Sequence, residues 1–496
     1  MLHRLLVSAA ALAALCAPAA AQTLPQTGDS YFKAAEGELA QRLKLAPNTR
    51  RAKNVILFIG DGMGVNTQTA ARIFQGQLLG ADGESFVTAM DRLPYAALVR
   101  TYSHDAQVSD SAPTATAIVA GVKTRNDVIG LDQTVPVDGC AAARGHEAVS
   151  LFAQAERKGL ATGVISTARI THATPAAAYA HSPNRDWEND QAMPAEAKAA
   201  GCLDIARQLV EWPEGDGFEV ILGGGRREFL PKTKADPEDA DKKGLRGDKR
   251  DLAADWQKRN KAGRYVWNKA QFEAVDPAQT PKLLGLFEYD HMEFEALREK
   301  DPAGEPALAE MTRKAIDMLS KNEKGFVLMV EAGRIDHAHH GGAARLALQD
   351  TIALDQAVQA ALQAVDPEET LIIVTADHSH NLTISGYPQR GNPILATVVG
   401  VDGKEILARD GKPYTTLSYS DGPGAAVDAP RRNPAGEDTA ALDYRQPALA
   451  PLGSASHGGE DVSARAIGPW AHLISGTVEQ HFLYHVMAHA MGLGER

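Results

Sequence analysis

The amino-acid sequence predicts an α/β protein with a central, mostly parallel β-sheet sandwiched between helices. Five apolar runs of strand length recur along the chain: NVILFIG (54–60), ATGVIST (161–167), FEVILGG (218–224), FVLMVEAG (326–333) and TLIIVTAD (370–377). Each run is apolar on both faces, as buried parallel strands are. Helical stretches such as EAVSLFAQAERKG and ARLALQDTIALDQAVQAAL separate several of these runs, which is the pattern of βαβ units.

The first 21 residues have the pattern of a secretory signal peptide. Arg4 precedes an apolar run from Leu5 to Cys16, and Ala19-Ala20-Ala21 forms an A-x-A cleavage site before Gln22. We therefore expect cleavage after Ala21 and a periplasmic or secreted product. No membrane anchor is expected, because no later apolar run reaches the roughly 18 residues of a membrane span and the C-terminus, MGLGER, has no anchor-addition tail.

The rest of the chain is long enough for one large domain with insertions or for two to three ordinary domains. We predict an N-terminal arm over residues 22–52 and an α/β core over residues 53–380 and 457–496. Residues 226–300 are heavily charged and are expected to decorate the surface, whereas residues 381–456, rich in Gly, Pro and Ser, are expected to form a small inserted subdomain. The chain should end with a strand at AHLISG (471–476) and a His-rich helix.

The net charge argues against some classes of partner. The formal charge is −12, and loss of Arg4 with the signal peptide takes it to −13. Such an acidic chain is not expected to bind nucleic acid or an anionic membrane, and an anionic substrate would need local positive charge. Cleavage also removes Cys16 and leaves Cys140 and Cys202, an even pair in an oxidising compartment.

The segment VSDSAPTATA (108–117) places Ser111 near the start of a predicted helix, where free backbone N–H groups point outward. Pro113 fits this position, because proline in the first turn gives up an N–H that has no helical partner. Such a site can bind an anion next to a nucleophile, although Ser111 could instead serve only as a helix cap. No G-x-S-x-G elbow surrounds Ser111, so its activation must come from elsewhere.

Residue types that bind metals follow the predicted strands. In open parallel sheets, ligands bind beyond the carboxyl ends of the strands. The residues found there are Asp61 after the first run, His172 and Thr174 after the second, Glu331, Asp336, His337 and His340 at the fourth, and Asp377 and His378 at the fifth. Carboxylate with imidazole suits Zn²⁺, and carboxylate with hydroxyl suits Mg²⁺. Each pair alone could be a turn or a satisfied polar pair, but together they predict a site for several metals beside a nucleophile.

These motifs resemble those of the alkaline phosphatases, metal-dependent phosphomonoesterases with a serine nucleophile. The resemblance rests on FIGDGMG, VSDSAPTATA, THATPAAAYAH, SPNRDWEND, VEAGRIDHAHH, TADHSH and HGGEDV in order, and it covers about residues 30 to 492. The chain is more similar to the animal-type members than to the enterobacterial form. The insertion at 381–456 would then match the animal crown subdomain, and the resemblance implies a homodimer.

The family pattern implies a role for each site residue. It implies a first zinc on Asp336, His340 and His457, a second zinc on Asp61, Asp377 and His378 with Ser111 beside it, and magnesium on Asp61, Thr174 and Glu331. Arg185 would clamp the phosphate, and His172 and His337 match neighbours of the metals that vary in type across the family. Pro113 departs from the family pattern, in which a small residue is usual, but helix geometry accommodates it.

The resemblance also implies two structural features. A disulfide between Cys140 and Cys202 would close the segment that carries His172 and Arg185. A fourth metal site, for Ca²⁺, would use Glu238, the Phe287 carbonyl, Glu288 and Glu305, since oxygen ligands suit a hard cation. The alternative for this last group is an acidic, solvated surface.

The predicted function is hydrolysis of a broad range of small phosphate monoesters through a phosphoserine, with release of inorganic phosphate. The expected cofactors are two Zn²⁺ and one Mg²⁺. A phosphodiesterase or sulfatase of the same superfamily is the nearest alternative. A non-catalytic exported binder of phosphate or metal is a second alternative, which would need the ligands but not Ser111.

Overall fold

A ten-stranded β-sheet is the centre of the computed structural model, which describes residues 24–494. The predicted signal peptide at 1–21 lies outside the described residues. The strands of the described chain are β1 Asn54–Gly60, β2 Tyr95–Arg100, β3 Ala161–Arg169, β4 Val220–Gly224, β5 Arg264–Val266, β6 Leu283–Leu286, β7 Phe326–Ala332, β8 Thr370–Ala376, β9 Ser379–His380, β10 Leu382–Ile384, β11 Leu417–Gly422, β12 Ala448–Pro451, β13 His457–Gly458, β14 Val462–Ile467 and β15 Gly476–Glu479.

Helices precede, connect and follow these strands. They are α1 Ser30–Arg42, α2 Val65–Leu78, α3 Ser111–Ala120, α4 Cys140–Ala143, α5 Leu151–Arg157, α6 Ala173–Ala176, α7 Ala195–Ala199, α8 Ile205–Val210, α9 Arg226–Phe229, α10 Leu252–Arg259, α11 Lys269–Glu273, α12 Leu308–Leu319, α13 Arg334–His340, α14 Ala344–Ala364 and α15 Phe482–Met491. Within residues 24–494, four 3-10 turns lie at Pro25–Gly28, Met90–Arg92, Arg298–Lys300 and Ala471–Leu473.

The large sheet is mostly parallel, as predicted. Its strand order is β15-β2-β14-β8-β1-β7-β3-β4-β6-β5. Strand β14 runs antiparallel to both of its neighbours, and the other pairs in this sheet are parallel. All five apolar runs are strands of this sheet, and every residue of β7 and β8 is buried. Burial on both faces explains why these runs lack the alternation of a half-exposed strand.

The described chain divides into two compact units, with the boundary between Ala46 and Pro47. In the first unit, Asp29 caps α1 by accepting hydrogen bonds from the backbone N–H groups of Tyr31 and Phe32. In the second unit, Ala52 is buried and its N–H donates to the carbonyl of Ala490 at 2.7 Å. The last residues of the predicted arm, 47–52, thus belong to the same unit as the sheet.

The prediction that residues 226–300 only decorate the surface is wrong. This segment adds β5 and β6 to one edge of the sheet, and the side chains of Arg226 and Arg246 are fully buried. Arg226 is paired with Asp236 at 2.9 Å, and Arg246 with Asp204 at 2.8 Å. A buried guanidinium is tolerated when carboxylates pair with it and satisfy its hydrogen bonds, so a high charge content did not mean exposure.

The predicted strand at AHLISG is also wrong. Ala471–Leu473 form a 3-10 turn, and the strand begins only at Gly476. The turn starts at Trp470, which has a left-handed φ of 62°, and it buries Ala471 and Ile474 within one turn. A short apolar run does not distinguish a strand from a buried turn.

The inserted residues 381–456 contain a second sheet of their own. Its strand order is β10-β11-β12. Leu395, Leu417 and Tyr419 from the insertion share one apolar cluster with Ala70 and Phe74 of α2. The insertion is therefore part of the second unit and does not form a compact unit of its own.

Cys140 and Cys202 form a disulfide, with their Cα atoms 6.0 Å apart. Among residues 24–494, no helix has both the length and the apolar character that a membrane crossing requires.

Candidate active site

The candidate site lies where the carboxyl ends of β1, β7 and β8 meet. Asp61 follows β1, Glu331 is the second-last residue of β7, and Asp377 follows β8. These three strands are adjacent and parallel, so their ends bring the three carboxylates to one edge of the sheet. Gly62 has a left-handed φ of 64°, and a Cβ atom there would lie 2.5 Å from the His380 ring. The chain can therefore pass this close only with glycine at position 62.

Ser111 is the first residue of α3, and it is buried. Its Oγ lies 3.3 Å from Nε2 of His378. Asp110 caps the helix by accepting a hydrogen bond from the N–H of Ala112 at 2.8 Å. Asp110 is therefore the cap, and the Ser111 hydroxyl remains available for chemistry. Pro113 sits in the first turn, where its missing N–H removes no helical hydrogen bond.

A first group of possible metal ligands contains Asp336, His340, His380 and His457. Nε2 of His340 and Nε2 of His457 lie 3.2 Å apart, and each is within 3.4 Å of an Asp336 oxygen. Nδ1 of His340 faces the carbonyl of Ala455 at 2.6 Å, and Nδ1 of His457 faces the carbonyl of Ser109 at 2.8 Å. A ring that donates from Nδ1 to a carbonyl leaves Nε2 free to bind a cation.

Sequence reasoning missed His380 in this group. Its Nε2 lies 2.5 Å from Oδ1 of Asp336, and the ring is fully buried. The signal was present in the sequence, since His380 follows His378 by two residues and alternate residues of an extended chain point to the same side.

A second group contains Asp61, His378 and Asp336. Nε2 of His378 lies 3.5 Å from Asp61 and 3.3 Å from Asp377. Burial raises the pKa of the Asp377 carboxyl to about 6, although the N–H groups of Gly62 and His378 donate to it. Burial and the neighbouring carboxylates also raise the pKa of Asp61, with Asp377 the largest of these charges.

A third group contains Asp61, His172 and Glu331. The Ser166 hydroxyl donates to Oε2 of Glu331, and the buried Thr174 hydroxyl on α6, which has no hydrogen-bond partner, helps to lower the pKa of the same carboxyl. Burial, and to a smaller extent the charge of Asp377, raises the pKa of Glu331 to about 7. The predicted magnesium residues are thus adjacent, with His172 beside them.

The residues fit bound metal cations. Both oxygens of Asp61, Oε1 of Glu331 and Oδ2 of Asp377 are buried and have no hydrogen-bond partner in the protein. Buried carboxylate oxygens are normally paired, because desolvation without a partner is costly. Divalent cations among these oxygens would satisfy them and cancel their mutual repulsion.

Arg185 lies at the N-terminal end of α3. Its Nη1 donates to Asp110 at 2.8 Å, and its Nη2 lies 3.1 Å from Nε2 of His172. The positive charge of the guanidinium partly opposes the rise in the pKa of Asp61 that burial and the neighbouring carboxylates cause. Arg185 therefore lies beside Asp110, the neighbour of Ser111 in sequence, and beside His172 of the third group.

His172 and His337 are half-buried beside the possible metal-ligand groups, and a third histidine that sequence reasoning did not single out packs against both. His291, from the loop after β6, has its ring centroid 5.5 Å from that of His172 and 4.1 Å from that of His337. Burial lowers the pKa of His337 to about 3 and also lowers the pKa of His172 and His291. All three rings are therefore neutral at physiological pH.

The residues predicted to bind calcium are only partly brought together. Glu238 and Glu288 form a possible ligand group with Asp301, which sequence reasoning did not choose. Glu305 is buried outside that group, and its Oε2 has no hydrogen-bond partner. The Phe287 carbonyl accepts a hydrogen bond from Nη1 of Arg226 at 2.6 Å.

Known proteins resemble this chain over most of its length. The sequence profile of the family described as alkaline phosphatase matches residues 52–493. The chain is 44% identical to the chicken (Gallus gallus) tissue-nonspecific isozyme of alkaline phosphatase, over 97% of this chain and 93% of that protein. It is 42% identical to an alkaline phosphatase of the cod Gadus morhua, over 90% of this chain and 93% of that protein.

Solved structures show the same fold. The Thermus thermophilus alkaline phosphatase superposes with a TM-score of 0.64 at 24% identity, covering 91% of this chain and 93% of that one. The alkaline phosphatase of the Antarctic bacterium TAB5 gives a TM-score of 0.60 at 21% identity, covering 90% of this chain and all of that one. These matches confirm the predicted fold class. Since the family profile spans most of the sequence and relatives are 44% identical over nearly its full length, the chain belongs to the alkaline phosphatase family of phosphate monoester hydrolases.

Proposed function

We propose that the protein hydrolyses phosphate monoesters through a phosphoserine at Ser111, with Arg185 holding the phosphoryl group. One observation supports this most directly: the Ser111 hydroxyl lies at the start of α3, 3.3 Å from His378, which belongs to one of the metal-ligand groups, and the preceding residue Asp110 binds Arg185. The neighbouring Asp110 caps the helix.

We assign a first zinc to Asp336, His340 and His457, a second zinc to Asp61, Asp377 and His378, and magnesium to Asp61, Thr174 and Glu331. The unpartnered oxygens of Asp61, Glu331 and Asp377 support this assignment. When bound, these metals would supply Lewis acidity and positive charge for the attacking and leaving oxygens. His380 would hold Asp336 in place through its 2.5 Å contact.

The chain's own groups define the rest of the reaction. The backbone N–H of Ser111 at the start of α3 and the guanidinium of Arg185 would hold the non-bridging phosphate oxygens. The Ser111 hydroxyl gives up its proton to solvent as its oxygen bonds to phosphorus, the ester P–O bond breaks, and the departing alkoxide takes up a proton from solvent to leave as the alcohol. Water then cleaves the phosphoserine, which frees inorganic phosphate and restores the hydroxyl. Asp110 orients Arg185 throughout, since the two side chains lie 2.8 Å apart.

Arg185 also supports a preference for monoesters over diesters and sulfate esters. A guanidinium that grips two non-bridging oxygens suits the dianion of a phosphate monoester. Turnover on a monoester, a diester and a sulfate ester of one phenol tests this point. Faster cleavage of the diester or the sulfate would replace the proposal with a phosphodiesterase or sulfatase.

We further propose that the protein is exported, dimeric and active on many small phosphate monoesters. The disulfide between Cys140 and Cys202 supports export, because such bonds persist in oxidising compartments. Broad specificity follows if the leaving group is held by a metal and not by a shaped pocket. A calcium ion bound by Glu238 and Glu288 is a further part of the proposal, and Asp301 is added to its ligands.

The central experiment compares two serines at helix starts. Ser111→Ala should reduce turnover by several orders of magnitude with the fold intact, because the attacking oxygen is lost. Ser150, whose Oγ accepts a hydrogen bond from the N–H of Ala153 at the start of α5, is the matched control. Ser150→Ala should cost about 1 kcal/mol of stability and leave turnover unchanged.

Turnover and unfolding are measured on both variants with saturating metals. Phosphate release by Ser111→Ala at the parent rate would overturn the nucleophile assignment. It would leave a metal-activated water or another residue as the attacking group.

A further inference from the structure

Three imidazole rings form a packed cluster behind the proposed magnesium site. The rings of His172, His291 and His337 lie with centroids between 4.1 and 5.5 Å apart. His172 is at the N-terminus of α6 and His337 is on α13, whereas His291 is brought in by the loop that follows β6. Residues from three distant parts of the chain thus meet here.

The backbone of the His291 loop is fixed by a close approach to β4. The N–H of Gly225 donates to the carbonyl of Asp290 at 2.6 Å, and the N–H of Met292 donates to the carbonyl of Thr167 at 3.1 Å. A Cβ atom at Gly224 would lie 2.3 Å from the Asp290 carbonyl oxygen. The glycine therefore permits a contact that holds residues 290–292 against the ends of β3 and β4.

Arg169 fixes the His291 ring. Its Nη1 lies 2.6 Å from Nε2 of His291, and its backbone N lies 3.2 Å from Nδ1. The guanidinium is itself held by Glu188, at 2.6 Å from Nη2, and by Asp290, at 2.7 Å from Nη1. Since both neighbours of the ring are donors, protonation of His291 is disfavoured, and the neutral ring accepts a hydrogen bond at one of its two nitrogens.

The cluster reaches the reactive groups through His172. Nε2 of His172 lies 3.1 Å from Arg185, and one of its ring nitrogens lies within 4.8 Å of ligand oxygens of Asp61 and Glu331. Nδ1 of His172 is buried without a hydrogen-bond partner. Hydrogen bonds within the protein therefore fix this ring at one nitrogen only, and its orientation depends on the side chains packed against it.

We propose that His291 is a positioning residue, which sets the orientation of His172 and thereby the affinity of the third metal group for Mg²⁺ and of Arg185 for phosphate. The inference rests on the proposed function, because it uses the proposed magnesium site. His291 acts through packing: it fills the space beside His172 and His337 with a rigid ring that Arg169 holds in place. A smaller or flexible side chain would let both rings turn.

Two substitutions separate ring packing from hydrogen bonding. His291→Phe keeps a flat ring but gives Arg169 no acceptor, whereas His291→Gln keeps an acceptor but loses the ring. His146→Gln is the matched control, because the His146 side chain is exposed and its Nδ1 faces Asp132 and Thr134, far in sequence from the cluster. The zinc-loaded proteins are titrated with Mg²⁺ and then with inorganic phosphate by calorimetry, without any substrate.

We expect His291→Gln to bind Mg²⁺ about tenfold more weakly, as substitutions next to metal ligands commonly do. Its phosphate affinity should also fall, and its zinc content should not change. His291→Phe should bind both within about threefold of the parent, in keeping with the modest cost of volume-conserving swaps. Thermal unfolding of each variant identifies any that fails to fold. If the Gln variant does not fold, the Phe variant alone decides the test, and its affinities for Mg²⁺ and phosphate must match those of the parent.

Equal Mg²⁺ affinity in the Gln variant and the parent would overturn the proposal, and so would a Phe variant as weak as the Gln variant. Failure of the proposed function looks different, because a parent that binds no Mg²⁺ or releases no phosphate fails before any His291 variant is compared.

Discussion

Replacement of His172 by aspartate tests the third metal group. His172, Asp61 and Glu331 each offer a ligand atom within 4.8 Å of the others. Two unit charges 4.8 Å apart at an effective dielectric constant of about 20 interact by about 3.5 kcal/mol. At this longest separation, a carboxylate at position 172 costs the Mg²⁺-free protein about 7 kcal/mol against its two neighbours when all three are charged, and protonation of one of them relieves part of that cost.

A bound divalent cation reverses the sign of this effect. The new carboxylate attracts Mg²⁺, and it offers the oxygen that a hard cation prefers in place of an imidazole nitrogen. A tenfold gain in affinity needs only about 1.4 kcal/mol. We therefore expect His172→Asp to bind Mg²⁺ at least about tenfold more tightly. The parent should be partly depleted of magnesium when purified and should be activated by added Mg²⁺ at alkaline pH.

The assay compares Mg²⁺ titrations and melting temperatures of both proteins, with Zn²⁺ buffered. Without Mg²⁺ the variant should melt below the parent, and added Mg²⁺ should close the gap. His104→Asp is the charge-matched control, since His104 is exposed and it should change neither quantity. Identical Mg²⁺ curves for parent and variant, or weaker binding by the variant, would refute the placement of His172 beside the third metal.

Three further predictions concern the clamp, a buried carboxyl and the calcium site. Arg185→Ala should weaken inhibition by inorganic phosphate about 10- to 100-fold, because hydrogen bonds to charged groups contribute about 1.5–3 kcal/mol; Arg157→Ala, which breaks the ion pair with Glu214, should not change it. Burial raises the pKa of Asp350 to about 8 from an ordinary value of 3.8, so its contribution to stability is present at low pH and is lost as pH rises between these values. The melting temperature of the parent should accordingly fall more between pH 5 and pH 8.5 than that of Asp350→Asn, and equal slopes would contradict the prediction. A chelator should lower the melting temperature, and Ca²⁺ but not Zn²⁺ should restore it in the parent but not in Glu288→Gln.

The sequence by itself determined the class of fold and the chemistry. Residues such as Val55 and Val374 lie in strands buried on both faces. Because both faces of such a strand are buried, its sequence is an unbroken apolar run. The ends of parallel strands share one edge of the sheet, so Asp61, Glu331 and Asp377 could be expected to converge from their positions after apolar runs alone. The motif around Ser111 likewise described its own helix start, because capping depends on neighbours in sequence.

Only the tertiary structure decided the contacts between distant segments. The sequence did not distinguish His380 from the other histidines, and only the fold shows that its ring contacts Asp336, 44 residues away in the chain. Arg226 looked like a surface charge, because only the fold supplies the carboxylates that make its burial possible. His291 lies in a segment whose charge suggested solvent, yet it packs against His172 because Gly224 lets two backbones touch. Local patterns report the environment of each strand and helix, whereas the partners of a buried polar side chain depend on how those elements pack.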